Sequence, residues 1–255
     1  MENALLIGLS RQVVLQRELE VIANNIANLN TNGFKADGSV FQEYLMPGAR
    51  SDRFIGADRR MSFVLDRATW HNLSQGPIQN TGNPLDVAID GNAFLAVQTP
   101  QGERYTRNGA LQINAQGQLV TSEGYQVLGE SGPIVFQQTD HDISISREGT
   151  VTVKEANNVA EAQRGKLRIV GFPQPERLVK DATSLFAAPA GLAPQPAAAS
   201  AGIIQGAIEK SNVSAVSEMT RMIEVTRTYT AVSGMLQAQS DLRRTAIQQL
   251  ADVPT

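Results

Sequence analysis

The sequence contains no cysteine and few aromatic side chains, which make up 5% of its 255 residues. Without thiols the chain can form neither disulfides nor thiolate metal sites. His71 and His141 stand apart, and neither has a second His or Cys at the spacing of metal ligands. The sequence therefore predicts no metal site and no cofactor.

Charge of one sign is also lacking, because 22 Lys and Arg stand against 25 Asp and Glu for a net charge of −3. The chain has no basic field to attract nucleic acid or anionic lipid. The uncharged stretch 187–208 is interrupted by Pro189, Pro194 and Pro196, which exclude a continuous membrane helix there. Near the N-terminus, Arg11 and Gln12 interrupt the apolar region of a cleaved signal. We expect a chain that does not span a membrane and is not exported by a cleaved signal peptide.

Motifs for catalysis are missing as well. The sequence has no Gly-x-Ser-x-Gly nucleophile elbow, and Gly165-Lys166 lacks the upstream glycine of a phosphate-binding loop. Asp86 and Asp90 could suggest acid–base chemistry, but they flank a predicted strand that a turn at Gly91 follows, which favours a structural role. We predict no catalytic residues and no small-molecule substrate. The alternative, a secreted enzyme acting on cell-wall glycan, would need two carboxylates in one cleft.

Helical periodicity is strong at the N-terminal end, where residues 3–28 contain no proline and only Gly8. The apolar seam of this predicted helix consists of Leu5, Leu15, Leu19, Ile22, Ile26 and Leu29. Gly8 and Gln12 interrupt it, and Gly33 supplies the left-handed conformation that suits a helix end. Asn24, Asn25 and Asn28 crowd this end, either as caps and turn formers or as contacts to a partner.

A second long helix is predicted over residues 214–250, where only Gly234 weakens the pattern. Its seam consists of Met222, Val225, Tyr229, Val232, Leu236, Ala246 and Leu250. Val216, Met219 and Ile223 fall on an adjacent register, which indicates a stutter or a broader apolar face. A helix with a narrow seam needs a partner. The seam residues of both helices are therefore candidate interface residues, in a pair within one chain or a bundle shared between subunits.

Short apolar runs separated by turn residues fill the middle of the chain and predict an antiparallel β-domain. The predicted strands are 85–89, 93–97, 111–113, 119–121, 125–128, 134–136, 143–145, 151–153 and 167–170. The fold class is thus α+β, with both terminal helices packed as a coiled-coil-like stalk and the β-domain inserted between them. The predicted domains are 1–36 with 203–255 for the helices, 37–82 as a connecting region, 83–186 for the β-domain and 187–202 as an Ala/Pro linker.

Several sequence blocks resemble the flagellar rod and hook axial proteins. They are ANNIANLNTNGFK at 23–35, TGNPLDVAIDG at 81–91, YTRNG at 105–109, GQLVT at 117–121, GYQVLG at 124–129, GAIEKSNV at 206–213 and EMTRMI at 218–223. The chain is identified as a member of the flagellar basal-body rod protein family. The opening residues 1–12 look more like F-type proximal-rod subunits than distal-rod or hook-type subunits.

The resemblance implies an axial assembly in which the terminal helices form an inner tube and the β-domain packs outside it. The implied partners are copies of the chain, other rod subunits and the flagellar type III export apparatus. The implied location is the periplasmic rod, where the protein transmits torque as part of the drive shaft.

Overall fold

Two long helices lie at the ends of an otherwise β-rich chain. The computed structural model describes residues 2–47, 60–155, 158–197 and 200–251. Helix α1 spans Glu2–Ala27 and helix α2 spans Ala215–Ala251. Both lie within a residue of the predicted bounds, so the α+β class with terminal helices is confirmed. No helix in the described part of the chain is long and apolar enough to cross a membrane.

Strands occupy most of the chain between the helices. In chain order they are β1 Asp37–Pro47, β2 Arg60–His71, β3 Ile78–Asn80, β4 Val87–Asp90, β5 Phe94–Thr99, β6 Gly102–Thr106, β7 Leu111–Ile113, β8 Leu119–Thr121, β9 Gln126–Gly129, β10 Gly132–Pro133, β11 Asp140–Ile145, β12 Thr150–Glu155, β13 Asn158–Lys166, β14 Ile169–Gly171, β15 Val179–Lys180, β16 Leu185–Ala187, β17 Gln195–Pro196, β18 Gly202–Gln205 and β19 Ala207–Glu209. A short 3-10 helix spans Pro175–Arg177.

The largest sheet has ten strands and is built around β5. Its main order is β15-β16-β6-β5-β9-β8-β7, with β10 on β9, β14 on β5 and β17 on β14. Strand β5 is buried on both faces. Its successive side chains alternate across the sheet and so reach two different cores. Leu95 and Val97 pack into the larger core, whereas Phe94 and Ala96 pack into a second, aromatic core. This double burial explains the uninterrupted apolar run at 93–97.

Four smaller sheets lie in the described part of the chain, and one of them consists of β1 and β2. Strands β11, β12 and β13 form an antiparallel three-stranded sheet. Strand β18 pairs with β4, and β19 pairs with β3, both antiparallel. The residues that precede α2 in the chain are therefore held beside strands 120 or so positions upstream, through main-chain hydrogen bonds.

Two predicted strands are wrong in detail. Residues 134–136 were expected to form a strand, but only Val135 takes part in an isolated bridge, to Gln118. Ile134 and Phe136 are nevertheless buried in the larger core. A short apolar run signals burial as readily as it signals a strand. Likewise Leu167 forms an isolated bridge to Gly129, and strand β14 starts only at Ile169.

The chain divides into two compact units. The first contains α1, α2 and the described residues of 37–70, including β1 and most of β2. The second, which we call the β-rich unit, contains residues 28–36 and 71–213. In the second unit, part of the Ala/Pro segment forms β17, which pairs with β14. The domain bounds expected from the sequence stay a prediction.

Candidate assembly surfaces on the terminal helices

The predicted seams of α1 and α2 meet each other within one chain. Leu15, Ile22 and Val225 are buried in a common cluster. Four further seam residues are half-buried against them, namely Leu19, Ile26, Tyr229 and Val232. The helices therefore satisfy part of their apolar surface as an intrachain pair, one of the two arrangements that the seam pattern left open.

The apparent breaks in the α1 seam are positions where the partner helix fits. A Cβ atom at Gly8 would lie 2.6 Å from Leu236 Cδ2, so the missing side chain leaves room for Leu236. Gln12 Nε2 donates a hydrogen bond of 3.0 Å to the hydroxyl of Tyr229. Sequence periodicity missed both contacts because each depends on the residue that faces it across the pair.

An ion pair adds a polar contact beside the seam. Arg221 Nε donates to Glu18 Oε1 at 2.9 Å, and Arg221 Nη2 lies 2.7 Å from the same oxygen as an ion pair. Both groups are part-exposed, so we expect the pair to contribute on the order of 1 kcal/mol or less.

A separate apolar stripe on α2 faces away from this seam. Val216, Met219 and Ile223 are 78%, 52% and 54% exposed. The alternating spacing of three and four continues at Thr226 and Thr230, whose hydroxyls donate to Met222 O at 2.7 Å and Thr226 O at 3.1 Å. These hydroxyls are thus satisfied inside the helix. We call these five residues the α2 outer stripe.

Helix α1 carries a matching stripe, the α1 outer stripe, formed by Leu6, Leu9 and Val13. They are 46%, 48% and 61% exposed and also follow a spacing of three and four. With about 3.6 residues per turn, they fall on a side of the helix distinct from that of Leu15 and Ile22. Exposed apolar stripes of this kind mark interaction surfaces.

The asparagines at the end of α1 form turn contacts within the chain. Asn25 is buried, donates through Nδ2 to Asp37 O at 2.8 Å and accepts from Asp37 N at 2.9 Å. Asn24 Nδ2 donates to Asp37 Oδ2 at 3.1 Å. Asn28 Oδ1 accepts from Thr31 Oγ1 at 3.1 Å. A role for these asparagines at a subunit contact stays a prediction.

The remaining interface candidates lie at the margins of the pair. Met222 is partly exposed between the seam and the α2 outer stripe. Leu5 and Leu250 lie on α1 and α2, but their side chains fall outside the described part of the structure. The assignment of all these residues to an interface between subunits stays a prediction.

The carboxylates considered for catalysis take part in local structure. Asp86 accepts hydrogen bonds from Thr81 Oγ1 at 2.7 Å and from Asn83 Nδ2 at 3.1 Å, within the turn before β4. Asp90 ends β4, and its Oδ2 lies 3.8 Å from Arg147 Nη2. Among the described residues, no three His, Cys, Asp or Glu side chains lie close enough together to hold a metal ion.

The histidines are likewise separate from each other. His71 lies edge-on to Phe186, with ring centroids 5.9 Å apart. His141 Nδ1 lies 3.4 Å from Thr139 O. Each ring has a local packing or backbone contact.

Three protein-family models match this chain, in regions that contain most of the sequence blocks described above. Residues 5–35 match the family described as flagella basal body rod protein. Residues 88–153 match the flagellar hook protein FlgE/F/G D1 domain, and residues 204–249 match the flagellar basal body rod FlgEFG protein C-terminal region.

Similar proteins cover almost the whole chain. The flagellar basal-body rod protein FlgF of Caulobacter vibrioides is 38% identical, with 99% of this chain and 100% of the relative aligned. FlgF of Mesorhizobium japonicum is 31% identical over 98% of each chain. FlgG of Agrobacterium fabrum is 35% identical over 89% of this chain and 91% of the relative. The resemblance seen in the sequence blocks is confirmed: the chain belongs to the flagellar basal-body rod protein family.

Proposed function

We propose that the chain is an F-type structural subunit of the proximal rod of the bacterial flagellar basal body. In this role it assembles with copies of itself and with other rod subunits through its terminal helices. The assembled rod transmits torque as a drive shaft. Family membership and full-length similarity to FlgF proteins support the assignment.

The observation that carries the proposal is the pair of outer stripes. After the two helices have packed on each other, α1 still exposes Leu6, Leu9 and Val13, and α2 still exposes Val216 and its neighbours. The 3–4 spacing of both stripes is that of helices packing knobs into holes. We infer that neighbouring subunits cover these stripes and complete a coiled-coil-like stalk.

The two stripes differ in sequence, and this bears on the symmetry of the assembly. A contact between unlike surfaces is heterologous, so it repeats in one direction and builds a helical filament unless the rotation closes a ring. A self-complementary contact would instead stop at a dimer. A rod requires the first kind of contact.

No chemical step is part of this function. The role is mechanical. Export through the flagellar type III apparatus to a periplasmic position is part of the proposal, because rod assembly requires the subunit beyond the inner membrane.

The test introduces a charge into the α2 outer stripe. Ile223→Asp places a carboxylate at a position that is exposed in the free chain, so the monomer should fold normally. In the rod the same carboxylate would be buried without a partner, at a cost of several kcal/mol in each contact. We expect normal protein levels, no rod protein in purified basal bodies and no motility.

The matched control is Ser217→Asp, which adds the same charge to an exposed position of the same helix outside the stripe. An acidic residue near a helix N-terminus is favourable, so this variant should assemble and swim. Equal motility of the two variants would contradict the role of the stripe.

A further inference from the structure

Three charged side chains lie buried together in the second unit. Lys35, Arg107 and Glu209 are each at most 1% exposed. Two are cations and one is an anion, so the buried charge cluster has a net charge of +1 when all three are ionised. Such a cluster is unusual because burying charge is costly unless every charge is paired.

Glu209 is the centre of the cluster. Its Oε1 accepts a hydrogen bond of 2.5 Å from Lys35 Nζ and one of 2.8 Å from the main-chain N–H of Gly76. Its Oε2 lies 3.1 Å from Arg107 Nε as an ion pair without the alignment of a hydrogen bond. One carboxylate is therefore shared by two cations and offsets half of their charge.

The cations have main-chain acceptors as well. Lys35 Nζ donates to Ser74 O at 2.6 Å, and Arg107 Nη2 donates to the carbonyl oxygen of Gly91. Loss of solvent lowers the pKa of both Lys35 and Arg107, whereas the charge of Glu209 opposes that shift. Without Glu209, the site would hold two like charges out of water.

The cluster joins three distant parts of the chain. Lys35 belongs to the segment that follows α1, Arg107 follows β6, and Glu209 ends β19 shortly before α2. The main chain reinforces this closure, since Gly33 N donates to Glu209 O at 2.8 Å and Ala36 N donates to Asn212 Oδ1 at 2.8 Å. Residues 33–36 and 207–212 thus lie beside each other.

We propose that the buried charge cluster is an electrostatic latch. Insertion of Glu209 between Lys35 and Arg107 closes residues 33–36 and 207–212 onto the rest of the β-rich unit, and loss of its charge releases them. The latch makes closure specific, because a segment without an anion at this position would leave both cations buried with no opposite charge.

The order of the three residues along the chain determines when the latch can close during delivery of the chain. A chain delivered N-terminus first presents both cations before the anion arrives. Closure is therefore possible only after the segment that leads into α2 has been delivered. Residues 33–36 and 207–212 are fixed only once both are present. Use of this delay during export rests on the proposed function, whereas the latch itself does not.

The test compares full-length variants by hydrogen exchange. Glu209→Gln keeps the shape of the side chain but leaves two uncompensated cations, and it should lower the protection of amides 33–36 and 207–212 by about a hundredfold or more. Lys35→Met combined with Glu209→Gln removes one cation, and it should recover at least about tenfold of that protection. Ser74 O keeps a donor in this double variant, because Asn212 Nδ2 also bonds to it at 3.0 Å.

Glu130→Gln is the matched control, since Glu130 forms an exposed pair with Lys166 at 2.8 Å. It should leave the protection of both segments unchanged. If Glu209→Gln fails to fold, recovery of folded protein by the double variant supports the latch. The latch is refuted if Glu209→Gln behaves like the control, or if the double variant is worse than Glu209→Gln. Neither readout depends on rod assembly, so this result is separable from failure of the proposed function.

Discussion

Truncation of Ile22 tests whether the terminal helices pair within the free chain. Its side chain is 1% exposed and packs in the cluster with Leu15 and Val225. Replacement by alanine removes three carbon atoms, worth about 2.4 kcal/mol at about 0.8 kcal/mol each. The cavity left behind raises the total to about 3–4 kcal/mol.

This loss of packing should destabilise the helix pair strongly, because the buried residues of its core are only Leu15, Ile22 and Val225. We expect Ile22→Ala to reduce the amide protection of both α1 and α2 in dilute purified protein. The β-rich unit should be unaffected, since its cores are separate from the cluster that contains Ile22. Hydrogen exchange resolved along the sequence measures both regions in one experiment.

Leu9→Ala is the matched control on the same helix. Leu9 is about half exposed in the free chain, so its truncation should cost only about 1 kcal/mol there, well below the loss at Ile22. Its effect should appear in the assembled rod, where we propose that the α1 outer stripe is covered. Full protection after Ile22→Ala would refute the intrachain pair, and equal losses in the two variants would refute the division between seam and outer stripe.

Three further substitutions test the contacts of individual residues, and the measurement in each case is the free energy of unfolding. Asn25→Leu removes both hydrogen bonds to the backbone of the first residue of β1 and should cost about 2 kcal/mol. Gly109→Ala should cost about 1–3 kcal/mol, because its Cβ would lie 1.7 Å from Val87 O. Hydrogen bonds from Arg164 lower the pKa of Asp140, so the stability from this pair is present above about pH 4 and is lost as pH falls through the lower folded value. Asp140→Asn should remove that part of the acid sensitivity while lowering stability at neutral pH.

The helices and the central strands could be predicted because their apolar residues follow regular periods. Residues 3–28 and 214–250 show the helical period without proline, and the run at 93–97 shows a strand buried on both faces. Strand β13 could not be found in the same way. Its sequence, NVAEAQRGK, is largely polar, and its pairing with β12 depends on tertiary contacts rather than on local pattern.

Most contacts at the candidate sites that could not be predicted from the sequence are made by polar residues. Lys35, Arg107 and Glu209 lie within blocks that resembled the rod family, yet nothing local indicates that these charged residues are buried together. Gln12 and Gly8 looked like defects in a seam, because their complements lie more than 200 residues away. Pairing across such distances requires the fold itself.

We expect assembly to cover the outer stripes of the two terminal helices. The absence of cysteine allows a direct measurement, since Leu9→Cys and Met219→Cys each introduce a single thiol. Maleimide labelling should be rapid for both variants in the free protein, where these positions are about half exposed. In purified basal bodies we expect labelling of both thiols to be strongly suppressed and to return fully after denaturation. Labelling at the free-protein rate in intact basal bodies would show that the stripes remain exposed and would contradict assembly through them.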